Sequence, residues 1–237
     1  MNIVLFSEDE LQNNNFVVLS GRRAEHIISV HRAQPGKLLL AGVLDGEIGS
    51  AEVVMIGEEE VKLKFYAEKS PSSPLSVHLI VALQRPKTLK KIIQSATAAG
   101  VKKFTFIESW KVEKSYWHSP LLSQEKLYEQ LILGLEQGVD TVLPEIEFKR
   151  RFKPFVEDEL PLLIEGKFPV LFHPGSKKKF IELPIENRES VLVFGPEGGF
   201  TDYEIKKFIE CSFVPCSLTE RILRTEYAVN AALGKFF

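Results

Sequence analysis

Two segments near the C-terminus of this 237-residue chain combine bare backbone with forked cationic side chains. The first, Val191-Leu-Val-Phe-Gly-Pro-Glu-Gly-Gly-Phe200, is an apolar run that ends in a glycine-rich loop. Gly195, Gly198 and Gly199 leave that loop without side-chain cover, so a ligand can come close to its N–H groups. The second, Ser217-Leu-Thr-Glu-Arg-Ile-Leu-Arg-Thr-Glu226, begins seventeen residues after the first ends and carries Arg221 and Arg224. A guanidinium is a rigid fork of donors suited to phosphate or to nucleic-acid recognition. Ligands of α/β proteins sit at the carboxyl ends of strands, so two such loops point to one composite pocket.

Simpler readings exist for each residue. The loop 195–199 fits neither G-x-G-x-x-G nor a G-x-x-x-x-G-K-[ST] pattern, which weighs against dinucleotides and nucleoside triphosphates. A tight strand-to-helix turn would also use glycine. Glu197 can be read as a helix-start charge favoured by the dipole, but an acid amid glycines and a proline has no packing explanation. Arg221 and Arg224 can be surface residues paired with Glu220 and Glu226, worth about 0–1 kcal/mol each. Together the segments favour a ligand site. Cys211 and Cys216 have no companion pair nearby, so a metal site is not expected, and small buried thiols are the plainer reading.

The elements that must position these residues alternate. Val77–Leu83 reads as a buried strand, and Pro86 suits the first turn of a helix whose Leu89, Ile92, Ile93 and Ala96 form an apolar stripe. Gly100 ends it, and Lys103–Ile107 is the next strand. Helix Gln124–Glu136, strands Val170–Phe172 and Val191–Phe194, helix Asp202–Glu210, strand Phe213–Cys216 and a helix from about Glu226 follow. Thr201 and Glu204 have capping-box spacing before the helix at 202. Such alternation predicts a mostly parallel sheet covered by helices. The first seventy residues differ: short strands at Ile3–Phe6, Phe16–Leu19, Lys37–Leu40, Ala51–Ile56 and Val61–Tyr66, an Asp45-Gly46 hairpin, and a helix over Arg22–Val30. That pattern predicts a small β-barrel. The Pro- and Ser-rich stretch before residue 75 divides the two, giving domains 1–70 and 75–237 with a linker at 71–74.

Composition bounds the rest. Hydrophobic content of 44% and charged content of 26% are ordinary for a soluble globular protein. No run approaches a membrane span of about 20 apolar residues. The N-terminus lacks the marks of a secretory signal, and two cysteines suit a reducing cytoplasm. The net charge of −2 gives no support to nucleic-acid binding. Its distribution does: eight Lys or Arg lie between Arg85 and His118 against Glu108 and Glu113, and four lie between Ser20 and Lys37 against Glu25. A solvated helix face is the plainer reading of either run alone. His26 and His31, beside Arg22, Arg23 and Arg32, have no catalytic partner in the sequence, so RNA contact or a structural role is expected.

Gly195-Pro-Glu-Gly-Gly199 followed by Leu218-x-x-Arg-Ile-Leu-Arg-Thr-Glu226 resembles the cofactor-binding signature of the bacterial ribosomal RNA uridine-N3 methyltransferases, the RsmE family of the SPOUT class. His26 to Gly36 resembles the family's N-terminal motif, Leu83 to Val101 its central helix, and Leu135-Glu136-Gln137 a family triplet. Thr219 stands where a glycine is usual, Gly138-Val139 where a more polar pair is, and Tyr227 where a smaller residue is.

The resemblance implies two domains: an N-terminal PUA-like β-barrel that binds RNA, and a C-terminal α/β SPOUT domain with a trefoil knot. It implies a homodimer acting on 16S ribosomal RNA of the small subunit, without metal or membrane. The cofactor would be S-adenosylmethionine, held by Leu171, His173, Gly195, Pro196, Glu197, Gly198, Gly199, Leu218, Thr219, Ile222 and Leu223. Arg224, Arg221 and Glu197 are the expected catalytic groups, and Arg22, Arg23, His26, Arg32, Lys87 and Lys90 the expected RNA contacts. Methylation at N3 needs no covalent adduct, so no cysteine is required. Two rival readings are a non-catalytic RNA-binding protein with a degenerate methyltransferase domain and an α/β enzyme acting on small molecules. The two intact loops oppose the first, and the basic stretch is surplus to the second.

Overall fold

The computed structural model describes residues 1–185 and 188–237. They form two compact units, Met1–Ser73 with Leu131–Leu143, and Pro74–Gln130 with Pro144–Phe237. Residues 70–75 hold neither helix nor strand.

The first unit contains β1 (Val4–Phe6), β2 (Leu11–Gln12), β3 (Phe16–Ser20), helix α1 (Gly21–Ser29), β4 (Leu38–Val43), β5 (Ile48–Ile56) and β6 (Glu60–Lys69). The sheet order is β1-β4-β5-β6-β3-β2, antiparallel except for the β1–β4 pair. Alternation in β6 buries Val61, Leu63 and Phe65 against Phe6, Val17 and Leu19, leaving Lys62, Lys64 and Tyr66 on the other face. Asp45 takes the left-handed conformation (φ 57°) that the Asp-Gly turn between β4 and β5 requires. At Gly49 the β5–β6 register shifts, and a Cβ there would run into the Tyr66 carbonyl.

The segment 131–143 lies in this unit although the sequence pattern assigns everything after the linker to one later domain. It is the second half of α3 (Gln124–Gly138) and the turn that follows. Leu135 is fully buried in a cluster with Ile3, Leu5 and Ile48. Glu136 accepts two hydrogen bonds from the Arg22 guanidinium, at 2.6 and 2.8 Å, and its carbonyl accepts from the N–H of Asn2 and of Ile3. Amphipathic period marks which residues of a helix are buried, not which core receives them.

The second unit is built on a fully parallel sheet of order β12-β10-β11-β7-β8-β9. Its elements are β7 (Val77–Ala82), α2 (Pro86–Ala98), β8 (Lys103–Ile107), the start of α3, β9 (Glu145–Lys149), α4 (Phe152–Pro154), a π-helical turn, α5 (Leu160–Leu163), β10 (Phe168–Phe172), β11 (Ser190–Phe194), α6 (Asp202–Glu210), β12 (Val214–Cys216) and α7 (Thr225–Leu233). All six residues of β7 are buried, as a strand covered on both faces requires. Leu89, Ile92, Ile93 and Ala96 form the buried face of α2, and Gly100 (φ 97°) turns the chain out of it.

In the second unit, β9 and the helical run 152–163 went unread in the sequence. The edge strand β9 alternates charge with apolar residues, and charged edges discourage unwanted pairing. The helical run 152–163 contains Pro154 and Pro161, which obscure its period.

Candidate functional site

Strands β12, β10 and β11 are neighbours, and Phe172 is in register with both Phe194 and Cys216. The loops that follow therefore leave the sheet at one level. They enclose a cavity of about 390 Å³, within the range typical of ligand sites. The rings of Phe172 and Phe194 stack 4.3 Å apart at 12° and contribute to its wall, and Phe180 meets Phe172 edge-on at 4.8 Å.

The glycine loop closes on itself through the Gly199 N–H, which donates to the Pro196 carbonyl at 2.8 Å, with Gly199 at φ 70°. The capping box then starts α6. Thr201 Oγ1 accepts from the Glu204 N–H, while Glu204 Oε2 accepts from the Thr201 N–H and hydroxyl, both at 2.8 Å. Glu204 is buried, and its other oxygen accepts from the Trp110 N–H at 2.9 Å. From the β7 end, Gln84 donates its Nε2 to the carbonyls of Ala82 and Gly195, at 2.7 and 3.1 Å. Its Oε1 is buried without a protein partner.

The arginine loop is held at its start by Ser217, whose N–H donates to Lys178 and whose carbonyl accepts from Phe180. Thr219 then folds the backbone. Its Oγ1 accepts from the Arg221 N–H at 2.8 Å and donates to the Arg221 carbonyl at 2.9 Å. Arg224 is the N-cap residue of α7. Arg221 and Arg224 are both exposed. Neither has a carboxylate partner among the described residues: Glu220 pairs with Lys179 and Glu226 with Lys91.

Eleven of the residues expected from the sequence line this cavity: His173, Gly195, Pro196, Glu197, Gly199, Leu218, Thr219, Arg221, Ile222, Leu223 and Arg224. Two do not. Leu171 is buried within the sheet between Val193 and Pro215. Gly198 faces Lys111: an added Cβ would lie 3.1 Å from Lys111 Cδ, and Lys111 Nζ donates to the Gly198 carbonyl at 2.9 Å.

Sequence reasoning missed Arg85, Phe172, Phe194, Phe200 and Glu226 as part of this lining. Arg85 follows the end of β7 and pairs with Glu197 (Nε to Oε1, 2.8 Å). The strand-end logic that selected the other loops would have reached it. Cys216 lines the cavity too, but burial pushes its thiol up to about 12, so a thiolate does not form there at neutral pH. Burial also raises Cys211, whose Sγ contacts the Val156 carbonyl at 3.2 Å. Among the described residues no group of three or more His, Cys, Asp or Glu could hold a metal ion. No helix of those residues is long and apolar enough to cross a membrane.

The residues expected to touch RNA differ in how far the fold already engages them. Arg22 is committed to Glu136, and Arg23 to Glu10 in a two-point pair at 2.6 and 3.0 Å. His26 packs edge-on against His31 with ring centres 5.0 Å apart. Arg32 is exposed, as are Lys87 and Lys90 on α2.

A family model described as an RNA methyltransferase domain matches residues 71–236. Among curated proteins, the ribosomal RNA small subunit methyltransferase E of Treponema pallidum is 30% identical over 238 residues, covering 98% of this chain and 89% of that protein. The ribosomal RNA small subunit methyltransferase E 1 of Borreliella burgdorferi is 27% identical over 235 residues, covering 98% and 95%. Among solved structures, a putative methyltransferase from Legionella pneumophila in complex with the cofactor SAM superposes with a TM-score of 0.79 at 24% identity, over 99% of this chain and 96% of that one. A ribosomal RNA small subunit methyltransferase E from Neisseria gonorrhoeae bound to S-adenosyl methionine gives 0.78 at 20%, with the same coverage. These structures share a two-domain α/β fold with this chain.

Proposed function

This chain belongs to the RNA methyltransferase family, and we propose that it transfers the methyl group of S-adenosylmethionine to N3 of a uridine in 16S ribosomal RNA. The observation that carries this reading is the single cavity in which the glycine loop and the arginine loop meet beside a stacked Phe172–Phe194 pair. Its residues suit the cofactor. Apolar and aromatic walls accommodate the adenosine, and the turn 195–199 leaves polar backbone beside them.

S-adenosylmethionine supplies an activated methyl group, so the protein's task is to bring two partners into line. His173, Gly195, Pro196, Gly199, Leu218, Thr219, Ile222 and Leu223 are assigned to cofactor binding, with Glu197 at the edge. The imide N–H of uracil must lose its proton before alkylation. Arg224 and Arg221 are assigned to the uracil carbonyl oxygens, where a cation stabilises the developing anion. Two arginines without carboxylate partners among the described residues suit that task. Glu197, held by Arg85, is the assigned proton acceptor. No cysteine takes part.

We assign RNA docking to the N-terminal unit, acting as a PUA-like barrel, together with Arg32, Lys87 and Lys90. Arg22, Arg23 and His26 contribute at most secondarily, since each already has a partner in the fold. Relatedness to RsmE also supports a SPOUT trefoil knot, a homodimer and a cytoplasmic site of action. Incubating 16S ribosomal RNA or small subunits from a strain lacking this activity with protein and cofactor, then mapping methyluridine by mass spectrometry, tests the reading. N3-methyluridine at a single site is expected. Methylation only at carbon, or none with cofactor bound, overturns it.

A further inference from the structure

We propose that Trp110 is a stacking platform for an unpaired nucleobase of the RNA, beside the cavity in which the methyl group is transferred. This rests on the reading of the chain as an RNA methyltransferase. Trp110 is 85% exposed, more than any other large apolar side chain among the described residues. The other tryptophan, Trp117, is 7% exposed, packed edge-on against Phe148 and covered by the Arg150 guanidinium. One indole is thus used for packing and the other is not.

The exposed indole does not sit on a loose tip. The backbone N–H of Trp110 donates to the buried Glu204 carboxylate, which also caps the helix that starts from the glycine loop. The next residue, Lys111, lays its stem against Gly198 and donates to the Gly198 carbonyl. On either side Ser109 and Val112 are buried, and the Val112 N–H donates to the Ser109 carbonyl at 2.9 Å. The ring is therefore presented on a backbone pinned at four consecutive residues and tied to the loop that lines the cavity.

Charge selects the occupant. Trp110 lies in the stretch Arg85–His118, where eight Lys or Arg outnumber Glu108 and Glu113; of its near neighbours in the chain, Lys111, Lys114 and Glu113 are exposed. A protein interface surrounds such an anchor with apolar area and depletes charge at its centre. Single-stranded nucleic acid asks for the reverse: an isolated π-face with cations for the phosphates, in a sequence-tolerant arrangement.

Intrinsic fluorescence with an oligouridylate of about ten nucleotides, and steady-state kinetics on 16S ribosomal RNA, test the proposal in the full-length protein. The oligouridylate should quench tryptophan emission in the wild type and fail to do so in Trp110→Phe, which retains only Trp117. Trp110→Ala should raise KM for RNA about tenfold, with S-adenosylmethionine affinity unchanged and kcat within about twofold. Trp110→Phe should recover most of that loss. Quenching that persists in Trp110→Phe, or an unchanged KM in Trp110→Ala, overturns the proposal. So does a loss of self-association in Trp110→Ala at constant RNA affinity, which would assign the ring to a second copy of the chain. Absence of any RNA methylation by the wild type would sink the family activity instead, and the quenching comparison would still decide the stacking.

Discussion

Arg85 Nε lies 2.8 Å from Glu197 Oε1, tying the end of β7 to the glycine loop after β11. Both side chains are about half exposed, so solvent screens the pair and its share of stability is at most about 1 kcal/mol. Its use is positional, because it fixes a carboxylate at the edge of the cavity. Arg85→Ala and Glu197→Gln should each melt close to the wild type. Each should lower turnover by about tenfold, and the double variant should be no worse than the weaker single one. Additive losses in a double-mutant cycle would mean that the two residues act separately.

Arg22 should prove structural. Removing its guanidinium leaves the Glu136 carboxylate, 2% exposed, without its two strongest donors. Arg22→Ala should cost about 1–3 kcal/mol in urea unfolding and leave the salt dependence of RNA binding nearly unchanged. Arg32→Ala should do the opposite. A flattened salt slope in Arg22→Ala, at wild-type stability, would return that residue to the RNA surface.

Cys216 should be inert. With its thiol pushed up to about 12 by burial, alkylation by iodoacetamide at pH 8 should be slow in the native protein and fast after unfolding. Cys216→Ala should retain turnover within a few-fold, the loss reflecting an altered cavity wall. A folded, cofactor-bound and inactive Cys216→Ala protein would favour methylation at carbon.

His78 makes stability depend on pH. Burial, reinforced by Lys167 and Lys103, lowers its pKa to about 4, and its Nε2 lies 2.8 Å from Thr105 Oγ1. Below about pH 6.5 the unfolded chain takes up a proton that the folded one refuses. Stability from this residue is therefore complete at neutral pH and declines as pH falls through 4, by about 3 kcal/mol in all. His78→Gln should lose correspondingly less between pH 7 and pH 4.5 in urea titrations. Parallel pH profiles for the two proteins would rule out the histidine as the source.

The sequence was most legible where local chemistry decides the structure. The stripe of α2, the Thr201–Glu204 capping box and the Asp45-Gly46 turn each depend on residues a few positions apart, and each forms as the spacing predicts. The loops at 195–199 and 217–224 were visible because three glycines cluster in one and two arginines in the other, each after an apolar run. What stayed hidden depends on distant partners. Arg22 and Arg23 looked like RNA contacts because Glu136 and Glu10 are not beside them in the chain. Gly198 looked like bare backbone because nothing in its neighbourhood announces Lys111. Arg85 was seen only as part of a charge run, since its pairing with Glu197 spans most of the second unit's sequence.

The split membership of α3 sets an order of events during synthesis. Residues 1–73 emerge from the ribosome before 131–143, so Ile3, Leu5 and Ile48 gain Leu135, and Arg22 gains Glu136, only once the chain has been made past residue 138. Throughout the translation of 74–130 the N-terminal sheet must wait with that apolar face uncovered, a state prone to aggregation. A nascent chain released at the Pro- and Ser-rich stretch would be an incomplete fold rather than a free-standing module, so the earlier segment of this unit is finished only when the later one arrives.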